Sequence, residues 1–222
     1  MAAKDYLVLF DVDGTLVDSQ SQITNAMQNA FMAINQPVPT HRDILSIVGL
    51  SLTEAFSHLL PDEPQEVRER CSEVYKLAFA EARLKGAKSK FYPGVYEVLE
   101  KLHRRPNYAL GIATGKSRRG LNALLDSYEI ASWFATAQVA DDHPSKPNPS
   151  MIKTAMEETN VDRNCTVMIG DTSFDVDMAK SAGVFAIGVG WGYHPHSKMA
   201  AADTLVHRAA DLLGAIDNLL RE

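Results

Sequence analysis

Asp11 and Asp13 stand one residue apart where the apolar run LVLF ends, and Gly14 and Thr15 follow them. Two more groups of chemically capable residues follow other short apolar runs, and a lysine lies in a loop before a helix. Thr114, Gly115 and Lys116 follow YALGIA, Lys146 sits in the loop SKPNPS, and Asp171 and Asp175 follow TVMI in GDTSFD. If these groups converge, their carboxylates repel one another by several kcal/mol at ~4 Å where screening is modest. A cation must then lie among them. An all-oxygen ligand set suits a hard ion, and Mg2+ is the usual one where phosphate is also bound. Lys146 supplies a second, fixed positive charge. Thr114, Gly115 and the amides after them can point donors at an anion from a helix N-terminus.

These are the parts of a phosphoryl-transfer site. An aspartate is already ionised at neutral pH and needs no base to attack phosphorus, so it can form an aspartyl-phosphate that water then cleaves. A metal offsets the charge of the phosphate oxygens. The second acid, two residues on in an extended chain, points to the same side. It can protonate the leaving oxygen and later take a proton from water, provided neighbouring carboxylates raise its pKa.

The elements that must position these residues follow from the apolar pattern. Runs at 6–10, 108–113, 166–169 and 184–189 lack alternation, as expected of strands covered on both faces of a parallel sheet; a weaker run lies at 204–206. Helical spacing lies between them at 94–103, after Ser117, at 151–158, at 175–182 and at 209–220. Strands alternating with helices predict an α/β fold, a Rossmann-like parallel sheet core flanked by helices. In such a sheet, ligands bind beyond the carboxyl ends of the strands, where the residues above lie.

One stretch breaks the alternation. Residues 19–86 hold no convincing strand. Ser19 with Gln22 fits a capping box, and Ile23, Met27, Ala30, Phe31 and Ile34 follow at helical spacing. Shorter helices fit 42–48 and 52–60, and Pro64 opens a long one carrying Val67, Cys71, Val74, Ala78 and Phe79 on a face. The expected division is an α/β core at 1–16 and 87–222 with an inserted all-helical cap domain at 17–86.

The 222 residues, 45% hydrophobic and 23% charged, can bury a sizeable core without disulfides. A net charge of −6 disfavours a nucleic-acid partner. The two cysteines form no metal knuckle and suit a reducing compartment. The apolar run before Asp11 is too short for a signal peptide, and none reaches the ~20 residues that span a bilayer. A cytoplasmic protein with no membrane partner is expected.

DVDGTLVDS resembles the first motif of the haloacid dehalogenase superfamily of phosphatases. ATGKS resembles its second, SKPNP its third and GDTSFDVDMAKSAG its fourth, in family order. The helical insert is similar to the family's small α-helical cap, and GLSL resembles a cap stretch of its phosphoglycolate-phosphatase-like members. The resemblance implies roles. Asp11 would be nucleophile and Mg2+ ligand. Asp13 would be acid/base, with its main-chain carbonyl on the metal. Thr114 and Gly115 would hold the phosphate, and Lys146 would stabilise the nucleophile and the transferring group. Asp171 would ligate Mg2+, and Asp175 would orient metal-bound water or Lys146. The implied substrate is a small phosphorylated metabolite, with phosphoglycolate the first guess and sugar phosphates, nucleoside monophosphates and pyrophosphate left open.

Three other readings compete. A β-phosphoglucomutase-type phosphomutase shares the motifs and the cap. A 2-haloacid dehalogenase attacks carbon without Mg2+ and typically lacks the second acid, which is present here as Asp13. A phospho-acceptor receiver domain has its acceptor acid before the Thr and Lys, whereas Asp171 and Asp175 follow both. Other residues carry blander expectations. HPH, with His194 and His196, and His143 lack Cys or Glu partners at zinc spacing and are expected on surface loops. Lys116, Arg118 and Arg119 are expected on a helix surface, Arg83 in solvent, and Trp133 and Trp191 in packing.

Overall fold

The computed structural model describes residues 4–221; the ends of the expected core segments, 1–3 and 222, lie outside them. Six parallel strands form the main sheet. They are β1 (Tyr6–Phe10), β4 (Tyr108–Thr114), β5 (Phe134–Val139), β6 (Thr166–Gly170), β7 (Phe185–Val189) and β8 (Thr204–Val206), in spatial order β5-β4-β1-β6-β7-β8. The chain proceeds outward from β1 through β4 to β5, returns to β6 on the other side, and continues to β8. β1 therefore lies at the reversal of strand order, and both its neighbours end beside it.

The apolar runs are explained by burial on both faces. Val8 and Phe10 face one core cluster, with α5 (Val95–His103), α6 (Arg118–Ser127) and α9 (Ala209–Leu220). Leu7 and Leu9 face the other, with α7 (Ser150–Thr159) and α8 (Ser173–Ala182). All four side chains are fully buried, each contributing about 1.5–3 kcal/mol by removal from water.

β5 departs from the apolar pattern and was not expected. It is an edge strand whose buried Thr136 and Gln138 both bond Glu158 of α7, so polar partners do the work that a hydrophobic run does elsewhere. His143 extends this network, bonding Gln138 and Ser150. A second departure is a two-strand antiparallel ribbon, β2 (Val17–Asp18) with β3 (Lys90–Phe91), through which the chain leaves and re-enters the α/β unit.

Between the two ribbon strands lie α1 (Gln20–Ala33), α2 (His41–Ser46), α3 (Leu52–Leu59) and α4 (Gln65–Leu84). They enclose their own apolar cluster, with Met27, Phe31, Phe56 and Cys71 at its centre. Ser19 does not cap α1 through its side chain. Its hydroxyl is buried and pairs with the Tyr193 hydroxyl at 3.2 Å, so a tertiary partner replaces the expected capping box.

Candidate active site

The carboxyl ends of β4, β1 and β6 deliver Thr114, Asp11 and Asp171 side by side. The Asp11 amide bonds the Ile169 carbonyl at 2.9 Å, tying the end of β1 to that of β6. Lys146 arrives from its loop with its side chain fully enclosed, and its Nζ donates to Asp11 Oδ1 at 2.8 Å and to Asp175 Oδ1 at 2.6 Å. Asp175 is placed by the first turn of α8: its Oδ2 accepts from the Thr172 amide and hydroxyl, a capping box that fixes the carboxylate. Asp171 Oδ1 accepts from the Thr15 hydroxyl at 2.9 Å and Oδ2 from the Tyr193 amide at 2.8 Å.

Gly14 makes the crowding possible. Its φ of +93° suits glycine, and a Cβ there would run into the Asp171 carboxylate. Gly115 serves a second close approach. A Cβ on it would lie 2.5 Å from the Gly49 carbonyl oxygen and 2.6 Å from that of Leu50, in the segment joining α2 to α3. The helical unit therefore rests directly on the Thr114–Gly115 turn. Two more contacts hold it there: the Ser51 amide donates to the Ser145 hydroxyl at 2.9 Å, and His194 bridges the two units.

The charges are strongly perturbed. Burial pushes the Asp11 carboxyl up to about 6, against the pull of the Lys146 ammonium beside it. Burial also raises Asp171 well above the usual carboxylate range, and Asp175 and Asp11 add to the effect. Burial alone would lower Lys146, but Asp11 and Asp175 outweigh it and hold the ammonium charged.

Asp11, Asp171 and Asp175 each place one oxygen within 4.8 Å of the others. Asp11 Oδ2 is buried and has no hydrogen-bond partner among the described residues. A buried, unpartnered carboxylate oxygen between two further carboxylates is the donor set a hard divalent cation requires. The residues present therefore fit a metal. Asp11 and Asp171 are the natural ligands: Asp11 has a free oxygen and Asp171 meets only neutral donors, whereas Asp175 is already paired with the Lys146 ammonium.

Asp13 stands at the same strand end but apart from this cluster. Both its oxygens accept from Lys116 Nζ at 2.8 Å. Thr114 is fully buried, and its hydroxyl accepts from the Lys116 amide at 3.2 Å. Lys116 is thus in the crevice and not on the helix surface expected for it; the β4–α6 turn folds it back toward Asp13. His194 corrects a second expectation. It is buried, not on a surface loop: its Nδ1 accepts from the Ser173 amide at 3.1 Å and its Nε2 donates to the Ser46 carbonyl of α2 at 3.0 Å. Thr15 and Lys116 lie within the motif segments without a role assigned there, and Tyr193 lies outside them. Tyr193 follows β7 on the same edge of the sheet, so extending the strand-end rule to that strand finds it. Trp191, nearby, donates from Nε1 to the Thr15 carbonyl, in keeping with a packing role.

The profile of the haloacid dehalogenase-like hydrolase family matches residues 8–189, which takes in every residue named at the crevice except Trp191, Tyr193 and His194. The chain belongs to this family. A probable phosphatase, IndB, of Dickeya dadantii is 38% identical to this haloacid dehalogenase-like hydrolase over 97% of the chain and 95% of its own length. A phosphoglycolate phosphatase of Vibrio vulnificus is 29% identical over 95% of each chain, and the pyrophosphatase PpaX of Bacillus velezensis 30% over 93% and 94%. Among solved structures, a predicted phosphatase from Clostridium acetobutylicum superposes with a TM-score of 0.85 at 25% identity, covering 98% of this chain and all of its own. The hydrolase fold thus spans nearly the whole chain. No helix among the described residues is long and apolar enough to cross a membrane.

Proposed function

We propose that this hydrolase is a Mg2+-dependent phosphatase that cleaves small phosphomonoesters through an aspartyl-phosphate on Asp11. The observation that carries the reading is the Asp11 carboxylate itself. It is buried, bonded through one oxygen to Lys146, and open at the other. The names of the relatives, phosphatases with different stated substrates, support the same class of reaction.

Each residue has a task in this account. Lys146 holds Asp11 in place through Oδ1 and, in turn, is held by Asp175. Asp11 attacks phosphorus, and the bond to the leaving oxygen breaks as the new one forms. Thr114 and the Gly115 amide receive the phosphate oxygens. Asp13 gives a proton to the leaving oxygen and then takes one from the water that releases phosphate from Asp11. For that, the leaving group must displace Lys116 from at least one Asp13 oxygen, so substrate entry and release of the acid are one event. Bound at Asp11, the Asp13 carbonyl and Asp171, Mg2+ would neutralise the phosphate oxygens as the carboxylate approaches. We assign residues 17–86 as a cap, pivoting on the β2–β3 ribbon, that excludes water from the reacting groups.

The test is phosphate release from a panel of small phosphomonoesters, phosphoglycolate included, with Mg2+ and with EDTA. Release with Mg2+ and none with EDTA is the expected result. Equal release in both would remove the metal from the account.

A further inference from the structure

The crevice is larger than its reacting groups need. It continues from Asp11 and Asp13 into a cavity of about 290 Å³ between the helical unit and the sheet. One wall is apolar, with Ile23 and Met27 from α1 and Tyr75 and Phe79 from α4. Two arginines join Lys76 in the lining, Arg83 from α4 and Arg119 from the first turn of α6, one from each unit. Neither makes an ion pair among the described residues, although the neighbouring Arg118 is paired with Asp142 at 2.7 Å. Asp141, which also lines the cavity, accepts from the Arg118 amide at 2.7 Å. A chain with a net charge of −6 thus gathers unpaired positive charge on one side of its cavity.

The α4 residues give this lining a scale. Tyr75, Phe79 and Arg83 are four apart and share one helix face, each step advancing about 6 Å. The Phe79 ring centroid is 5.0 Å from Lys116 Nζ, which is itself 2.8 Å from Asp13. Phe79 therefore stands next to the acid/base, and Arg83 one turn farther out. A carboxylate one methylene from its ester oxygen, as in phosphoglycolate, reaches less far than one such helical step.

We infer that Arg83 and Arg119 form a distal anion site, and that the substrate is a phosphomonoester with an apolar body and a second anionic group about one ring length from phosphorus. The inference rests on the phosphatase reading only for which end of the ligand is the phosphate. The apolar body lies along Met27 and Phe79, where it displaces water, and the second anion receives charge-assisted hydrogen bonds from both guanidinium groups. Because one arginine comes from each unit, such a ligand also draws the helical unit onto the sheet.

The experiment compares phenyl phosphate, 4-carboxyphenyl phosphate and phosphoglycolate as substrates of the full chain with Mg2+, in the wild type and in Arg83→Gln, Arg119→Gln and the double variant. The wild type should favour 4-carboxyphenyl over phenyl phosphate by about tenfold in kcat/KM, mainly through KM. The double variant should lose that preference and turn over phenyl phosphate as before, and Arg83→Lys should restore part of it. An unchanged preference in the double variant, or none in the wild type, would overturn the site. Calorimetric titration with benzylphosphonate and 4-carboxybenzylphosphonate separates this inference from the catalytic one, because it needs no turnover. A carboxylate preference in binding that the double variant loses supports the anion site even if no phosphate is released, and equal binding of both compounds overturns it.

Discussion

Replacing Lys146 with Met tests the electrostatics of the site where its one buried ammonium meets the carboxylates. The Lys146 side chain is fully enclosed and contacts two carboxylates, at 2.8 and 2.6 Å. Removing it leaves Asp11, Asp171 and Asp175 with oxygens within 4.8 Å of one another and no cation of the chain between them. At an effective dielectric constant near 20, two charges about 4.8 Å apart repel by roughly 3–4 kcal/mol. Removing one partner of a buried pair typically costs about 3–5 kcal/mol, and proton uptake by the carboxylates caps the total near that range. With a urea slope of about 2–3 kcal/mol/M, the midpoint in EDTA should fall by about 1–2 M.

The sign of the pH dependence follows from the same groups. Asp11 is already raised from 3.8 to about 6, so its protonated form is favoured by the fold. Its contribution is fully present below its unfolded pKa and is lost as pH rises through the folded one. Without Lys146 the folded carboxylates are raised further. The deficit of Lys146→Met should therefore be small near about pH 5 and full near about pH 8, and Mg2+ should restore part of it. Adding Asp175→Asn should recover stability relative to the single variant. A midpoint within about 0.3 M of wild type at both pH values, with EDTA present, would refute the reasoning.

Three other perturbations address separate parts of the site. Asp13→Asn should lower kcat by about 10²–10⁴-fold on alkyl phosphates and much less on p-nitrophenyl phosphate, whose leaving group needs little protonation; equal losses on both would remove Asp13 from the proton transfer. Gly115→Ala places a methyl group against the Gly49 and Leu50 carbonyl oxygens, so it should lower stability by about 1–3 kcal/mol and raise KM, both read from denaturation and steady-state kinetics. Burial lowers the pKa of His194, whose neutral ring accepts from Ser173 and donates to Ser46. The stability it contributes is present above about pH 6.5 and is lost as pH falls through the folded pKa, so His194→Gln should flatten the acid limb of the stability profile; an unchanged limb would contradict the bridge.

The fold was legible where burial left an unbroken apolar signature. β1, β4, β6 and β7 are covered on both faces, and their runs stand out for that reason. β5 is an edge strand stabilised by Thr136 and Gln138 on Glu158, and its sequence, FATAQV, carries no such run. The β2–β3 ribbon holds two residues per strand, too few for any period. At the site, the acids and Lys146 were legible because each lies at a strand end or in a marked loop. Thr15, Lys116, Tyr193 and His194 were not, because their partners come from distant segments. Ser19 shows the limit of local rules most plainly: its sequence context suits a helix cap, and the fold spends its hydroxyl on Tyr193 174 residues away.

The most direct test of the account is to locate the phosphoryl group during turnover. The enzyme, mixed with a good phosphomonoester and Mg2+, is quenched in acid within the first turnovers, digested and sequenced by mass spectrometry. The account predicts one added phosphoryl group on the peptide carrying Asp11, on Asp11 itself, and no adduct with Asp11→Asn. Phosphate release by Asp11→Asn at the wild-type rate, or an adduct on another residue, would contradict it.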